Sequence, residues 1–361
     1  MSNRSSVNIY HRSIEKFRPM HETIPNATPF TIMIEPTNAC NFRCRFCPTS
    51  DIKLLKSVGR KVGFMPMELF KKTVDGINFP SRIGKLNLYK DGEPLLHKQL
   101  PEMVAYAKQS GAFDEIVFNS QVALLTEDKA RALIEAGLDT IRISVIHVHD
   151  KGYKDLCQTY DNYAEVRENI HRLYRLKQEY KSPIRIHVKT IETGLTQEER
   201  DQFYADFTGH ADTVFIDHLT GWSDSERHDW TLGLDPDVAP DGFSPVIRNR
   251  KVCPTPFYTL SVNWNGGVSV CCVDWAWRTI VGDTNHETIT DIWHGERLRE
   301  FRLMHLRGLK DQNPSCQTCH YMQGLLEIDN LDDHTEKLIP IIEATAGGAR
   351  PHNETVGHAA E

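Results

Sequence analysis

Between residues 30 and 217, six short β-branched runs alternate with amphipathic helical stretches, and this alternation restricts the architecture more than any other feature of the chain. Strands are expected at Phe30–Glu35, Lys85–Tyr89, Glu115–Asn119, Thr140–Ile146, Ile184–Ile191 and Thr213–Ile216. Helices are expected near Pro66–Ile77, Leu100–Gln109, Thr126–Ala136, Asn162–Glu179 and Thr196–Phe207. Thr126 stands before Glu127–Asp128, and Thr196 before Glu198 and Glu199. A hydroxyl cap followed by acids satisfies the free amides and the dipole at a helix start. Six β–α repeats imply a parallel sheet, open or curled into a partial barrel, with functional residues in loops at the carboxyl ends of the strands.

The remainder of the chain reads differently. Residues 1–27 form an N-terminal extension before the barrel segment at 28–217, and residues 218–250, with Pro236, Pro240 and Pro245 among polar residues, read as a linker. Residues 251–325 are expected to form a small α+β unit. Thr259–Val262, an Asn265–Gly266–Gly267 turn and Val268–Cys272 make a β-hairpin, followed by a helix over Glu296–Arg307. Residues 326–361 are expected to hold a C-terminal helix and a polar, disordered tail after Gly347. The expected class is α/β, a partial (β/α)6 TIM-like barrel with a small C-terminal α+β domain.

A net charge of −7 offers no long-range attraction to nucleic acid or anionic lipid. No run approaches the roughly 18 apolar residues of a membrane span, and the N-terminus lacks the apolar segment of a signal peptide. A cytoplasmic protein with no nucleic-acid or membrane partner is expected. The nine cysteines are odd in number and clustered, which argues for metal or redox chemistry over a disulfide framework.

Cys40-x3-Cys44-x2-Cys47 follows directly on the first strand. A [4Fe–4S] cluster takes four thiolates, so three in one loop leave an iron open to an exogenous chelator. Zinc is the alternative, but structural zinc sites close with four ligands and this loop has no fourth. The spacing resembles the signature of the radical S-adenosylmethionine (SAM) superfamily. Phe46 stands at the aromatic position that the family uses beside adenine, and Gly92-Glu93-Pro94 resembles the motif that binds the methionyl amino group. Asn119-Ser120 and Ser144 fall at strand positions where the family contacts SAM, while Arg142 and Lys189 are candidates for its carboxylate. The resemblance implies reductive cleavage of SAM to a carbon radical, with an external one-electron reductant of flavodoxin or ferredoxin type as partner.

Cys253, Cys271, Cys316 and Cys319 supply four thiolates around a hairpin and a helix, the number that a fully ligated cluster needs. Gly266-x4-Cys271, Asp291-Ile292-Trp293-His294 and the closing Cys-x2-Cys resemble the twitch domain, a short SPASM-like unit carrying one auxiliary [4Fe–4S] cluster. A zinc ribbon is the alternative. With both segments, the chain resembles the aminoglycoside- and aminocyclitol-tailoring dehydrogenases and epimerases of the superfamily, which implies a small sugar-like substrate.

Cys157 and Cys272 are left over. A spare cysteine is ordinarily a small buried hydrophobe. Near a carbon radical, a thiol can instead return a hydrogen atom from the opposite face and invert the carbon. The expectation is therefore an epimerase acting at a hydroxyl-bearing carbon, with Cys157 as first-choice donor in the loop after the fourth strand and Cys272 as second. The alternatives are a dehydrogenase that passes an electron to the auxiliary cluster, and a peptide-modifying maturase. His147 and His149 suit a substrate hydrogen bond or a metal site, Trp275 and Trp277 a sugar face or the core, and Asp91 the substrate or a turn cap.

Overall fold

All six expected strands form, in the expected order: β1 (Thr31–Ile34), β2 (Ile83–Asn87), β3 (Phe113–Ser120), β4 (Thr140–Val145), β5 (Arg185–Glu192) and β6 (Thr213–His218). The structure, a computed structural model, describes residues 18–224, 231–234 and 245–345. The extension up to residue 17, Pro236 and Pro240 of the expected linker, and the tail from residue 346 lie outside the described residues. No helix of the described residues is long and apolar enough to cross a membrane.

β1 to β6 are parallel neighbours, and the connecting helices have the expected starts. The Thr126 hydroxyl accepts from the Lys129 amide, and Thr196 and Glu199 complete a reciprocal capping box. The sheet is strongly two-faced, because side chains alternate along each strand. Ile32, Ile34, Leu86, Phe118, Ile141, Ile143, Ile186 and Val188 are essentially without exposed surface and join the helix residues Phe70, Val104, Val166, Ile170, Phe203 and Phe207 in one core. Burying each such side chain contributes about 1.5–3 kcal/mol. The other face is polar. Asn119 is in register with Arg142 and Arg142 with His187, while Ser144 pairs with Lys189.

The small C-terminal unit is not separate from this sheet. β7 (Thr259–Val262) lies parallel to β1, Thr31 opposite Thr259, and β8 (Gly267–Ser269) and β9 (Ile280–Asp283) follow antiparallel. The result is one nine-stranded sheet in the order β6-β5-β4-β3-β2-β1-β7-β8-β9. Pairing with β7 satisfies the edge that β1 would otherwise expose. The helix Glu296–Leu306 forms as expected, whereas β9 and the helix Ile289–His294 carry no expectation. A further helix, Asp150–Cys157, occupies what the sequence reads as a loop. Its cap is His149, whose Nδ1 accepts from the Gly152 amide at 2.9 Å, and histidine is not among the common capping residues.

Candidate functional site

β1 delivers the chain into the cysteine loop. Cys44 is buried, and Cys40 and Cys47 are half-buried. The loop is held from behind by the helix Asp150–Cys157, whose last carbonyls have no helical partner of their own. Leu156 O accepts from Arg45 N at 2.9 Å and Cys157 O from Arg43 N at 3.1 Å. Phe42 stacks on Tyr160 at 4.8 Å and meets Tyr153 edge-on.

Cys157 thus differs from its expected placement. It is the last residue of a helix, has no exposed surface, and its thiol lies against Cys44 behind the loop. The local reason is the His149 cap, which starts a helix directly after β4.

Gly92 brings the turn after β2 onto this loop. A Cβ there would stand 2.2 Å from Thr37 O and 2.6 Å from Ala39 O, so no other residue fits without moving backbone. Glu93 N donates to Ala39 O at 2.8 Å. The fully buried Glu93 carboxylate accepts from Leu95 N at 3.0 Å, the Ser120 hydroxyl at 2.8 Å and Gln121 N at 3.0 Å. Burial pushes its pKa up against those three bonds. Pro94 opens the 3-10 turn that follows. Ser120 is thereby committed to Glu93, while the neighbouring Asn119 keeps a buried Oδ1 without a hydrogen-bond partner among the described residues. Ser144 is on the polar sheet face beside Lys189, whose Nζ contacts Asp217 Oδ2 at 2.6 Å. The half-buried Phe46 offers its carbonyl to Trp222 Nε1 at 3.1 Å.

A buried ionic cluster that sequence reasoning missed joins this loop to the C-terminal unit. Arg60 Nη2 lies 2.6 Å from Asp91 Oδ2 and 3.6 Å from Glu35 Oε1, and Lys90 Nζ lies 3.7 Å from Asp91, with all four side chains essentially unexposed. Arg60 also donates to Trp275 O, Lys90 to Asn263 Oδ1 and Asp274 O, and Trp264 N donates to Glu35 Oε2. Asp91 Oδ1 is the one carboxylate oxygen of the cluster without a partner among the described residues. Burial and the nearby Asp91 push the Glu35 carboxyl pKa up. Arg60 sits 5.0 Å over the Trp277 ring. Trp275 has no exposed surface and donates to Ser223 O, so it belongs to the core.

The second set of cysteines converges on a small internal cavity. Cys253, Cys271, Cys316 and Cys319 line it together with Asp274, Phe301, His305 and Ser315. Cys272, the second-choice donor, has a half-buried thiol in contact with Cys271 and Tyr321 and feels the charges of Lys90 and Asp91.

His147 and His149 meet Glu199. Their Nε2 atoms lie 3.6 and 2.8 Å from its Oε1, and the three side chains are grouped closely enough to hold an ion. Both Nδ1 atoms, however, accept backbone amides, from Val148 and Gly152. In the neutral rings the protons then sit on Nε2: His149 donates to the Glu199 carboxylate at 2.8 Å, and His147 faces the same oxygen at 3.6 Å, beyond hydrogen-bond distance.

Both cysteine sets fit iron–sulfur clusters by their donor chemistry. Burial, followed by the Glu93 charge, pushes the Cys40 thiol up to about 12; burial pushes Cys47 up, and contact with Cys157 together with burial pushes Cys44 well up. Burial likewise raises Cys253, and with Cys253 nearby takes Cys319 up to about 12. A bound metal cation would offset that cost of ionisation by taking the place of the proton.

The profile of the radical SAM superfamily matches residues 34–206, and that of the SPASM iron–sulfur cluster-binding domain matches residues 253–320. The S-adenosyl-L-methionine-dependent 2-deoxy-scyllo-inosamine dehydrogenase of Niallia circulans is 20% identical over 289 residues, covering 80% of this chain and 92% of that protein. The PqqA peptide cyclase of Bradyrhizobium diazoefficiens is 28% identical over 150 residues, 41% of this chain and 36% of that one. The dTDP-4-amino-4,6-dideoxy-D-glucose ammonia-lyase of Streptomyces venezuelae is 26% identical over 163 residues, 44% of this chain and 32% of that one. The fold is shared with SuiB of Streptococcus suis bound to S-adenosylmethionine, at a TM-score of 0.55 and 12% identity over 82% of this chain and 72% of that one. The two matched domains imply SAM, a SAM-binding [4Fe–4S] cluster and an auxiliary cluster. The chain belongs to the radical SAM superfamily and carries a SPASM-type cluster-binding domain after its barrel.

Proposed function

We propose that this chain is a radical SAM dehydrogenase that oxidises a secondary alcohol of an aminocyclitol or related carbohydrate to a ketone. The observation that carries this reading is the likeness to the 2-deoxy-scyllo-inosamine dehydrogenase. Its 289 residues exceed the barrel match at 34–206, so the likeness extends beyond the barrel. Cys40, Cys44 and Cys47 are assigned to the SAM-binding cluster, and Cys253, Cys271, Cys316 and Cys319 to the auxiliary one.

Bound SAM and the clusters supply the radical that removes the carbinol hydrogen and the acceptor for the electron left behind. The protein holds and orients the reactants and excludes water. Gly92 allows the turn bearing Glu93 to sit on the cysteine loop, and Ser120 and Gln121 fix the Glu93 carboxylate. The polar sheet face bearing Asn119, Arg142, Ser144 and Lys189 offers hydrogen bonds to SAM and to a hydroxyl-rich ring. The hydroxyl proton is assigned to Asp91 Oδ1, which has no hydrogen-bond partner among the described residues and lies in the ionic cluster joining the two cysteine regions. The alcohol thus loses one hydrogen atom, one proton and one electron, and the product is two mass units lighter.

Inversion remains the second reading because Cys272, unlike Cys157, has a half-buried thiol that is within electrostatic reach of Lys90 and Asp91. The full burial of Cys157 weighs against it as a donor. Anaerobic incubation with SAM, a strong reductant and 2-deoxy-scyllo-inosamine or related aminocyclitols in deuterated water separates the two. A ketone formed in step with 5′-deoxyadenosine is expected. An inverted alcohol carrying solvent deuterium would overturn oxidation in favour of inversion.

A further inference from the structure

His305 lies on the helix Glu296–Leu306 and is essentially unexposed. Its Nδ1 accepts the Cys253 amide at 3.4 Å. The ring proton of the neutral form is therefore on Nε2, and an imidazolium would carry one there as well. Among the described residues Nε2 has no hydrogen-bond partner, yet the ring lines the cavity shared by Cys253, Cys271, Cys316 and Cys319. Phe301 packs against the ring at 5.3 Å.

A buried N–H without an acceptor costs about 1–3 kcal/mol, so a protein keeps one only where something else accepts. The other polar side chains of the cavity are already engaged, Tyr321 with Cys272. Asp274 Oδ1 accepts from Arg278 N and the Ser315 hydroxyl, and its Oδ2 accepts from Thr279 N and the Thr279 hydroxyl. The Ser223 hydroxyl donates to Val273 O. Sulfur is the acceptor that remains.

We infer that His305 Nε2 donates a hydrogen bond to a sulfur of the auxiliary cluster and raises its reduction potential. A donor aimed at sulfur favours the more negative, reduced state. His305 is thus a positioning residue for the electron and does not touch substrate. The inference rests on the assignment of the auxiliary cluster to these four cysteines, and holds whether the substrate is oxidised or inverted.

The test is a redox titration of the holoenzyme followed by electron paramagnetic resonance, the auxiliary signal being the one that SAM leaves unchanged. In His305→Leu the ratio of reduced to oxidised auxiliary cluster at fixed poise should fall about tenfold, equivalent to about 59 mV for one electron. His305→Gln, which keeps an N–H near the same place, should recover most of the shift. An unchanged midpoint in His305→Leu at full iron content overturns the inference. Should His305→Leu fail to assemble the cluster, the wild-type enzyme labelled with nitrogen-15 histidine decides. Electron–nuclear double resonance should show an imidazole nitrogen and an exchangeable proton coupled to the auxiliary signal, and their absence overturns the inference. About four irons per chain, in place of about eight, would instead remove the cluster assignment on which it rests.

Discussion

Arg60 and Asp91 form a pair without solvent exposure, Nη2 to Oδ2 2.6 Å, that ties the turn after β2 to the segment behind the cysteine loop. Arg60 also faces Glu35, so its charge offsets two buried carboxylates. Arg60→Met leaves Glu35 without its nearest cation and Asp91 with Lys90 alone at 3.7 Å, and should cost about 3–5 kcal/mol in chemical denaturation. Adding Asp91→Asn should recover part of that loss, because the second change removes one of the stranded charges. Equal or greater destabilisation in the double variant would contradict the pairing.

Gly92 packs directly against the backbone of Thr37–Ala39 at the start of the cysteine loop. In Gly92→Ala the new methyl meets two backbone carbonyls, neither of which can swing aside as a side chain would. SAM binding should weaken at least about tenfold, or about 1.4 kcal/mol, by equilibrium dialysis under anaerobic conditions. Iron content should fall less than SAM affinity, since no cysteine is altered.

Asp329 should give the stability a pH dependence. Burial, opposed by Arg250, takes its carboxyl from 3.8 up to about 6. The folded state therefore binds this proton more tightly than the unfolded chain, and the ionised group is a penalty. That penalty is absent below the unfolded value, grows as pH rises, and is complete above about pH 6. Asp329→Asn should stabilise the protein by on the order of 1 kcal/mol at about pH 7.5 and by progressively less toward pH 4.5. Denaturation midpoints across that range check it, and a gain independent of pH would contradict it.

The two spare cysteines separate the chemical readings. Under oxidation, Cys272→Ala retains ketone formation, whereas inversion with Cys272 as donor would be abolished. Cys157→Ala removes a fully buried thiol and should cost about 1–2 kcal/mol of stability while leaving the product unchanged. Product identity by mass spectrometry and the melting temperature of each variant test both statements.

Much of this was legible because it is local. The six strands and their helices follow from alternation and caps such as Thr126 and Thr196, and the cysteine loop must be contiguous to hold three thiolates. The helix ending at Cys157 was not legible, since its start depends on a histidine cap. The Arg60–Asp91–Glu35 cluster joins residues from separate loops, and no pattern along the chain links them. The pairing of β1 with β7 spans more than two hundred residues and turns a presumed separate unit into a continuation of the barrel sheet. The position of Ser120 beside Asn119 suggests a SAM contact along the chain, whereas its bond to Glu93 shows only in three dimensions.

The most direct test of the oxidation reading is a single turnover, begun with the auxiliary cluster oxidised and stopped by rapid freezing. Aminocyclitol deuterated at the reacting carbinol should pass its deuterium to 5′-deoxyadenosine, and ketone and reduced auxiliary cluster should appear together in equal amounts. An auxiliary cluster that stays oxidised while an inverted alcohol accumulates would contradict the account.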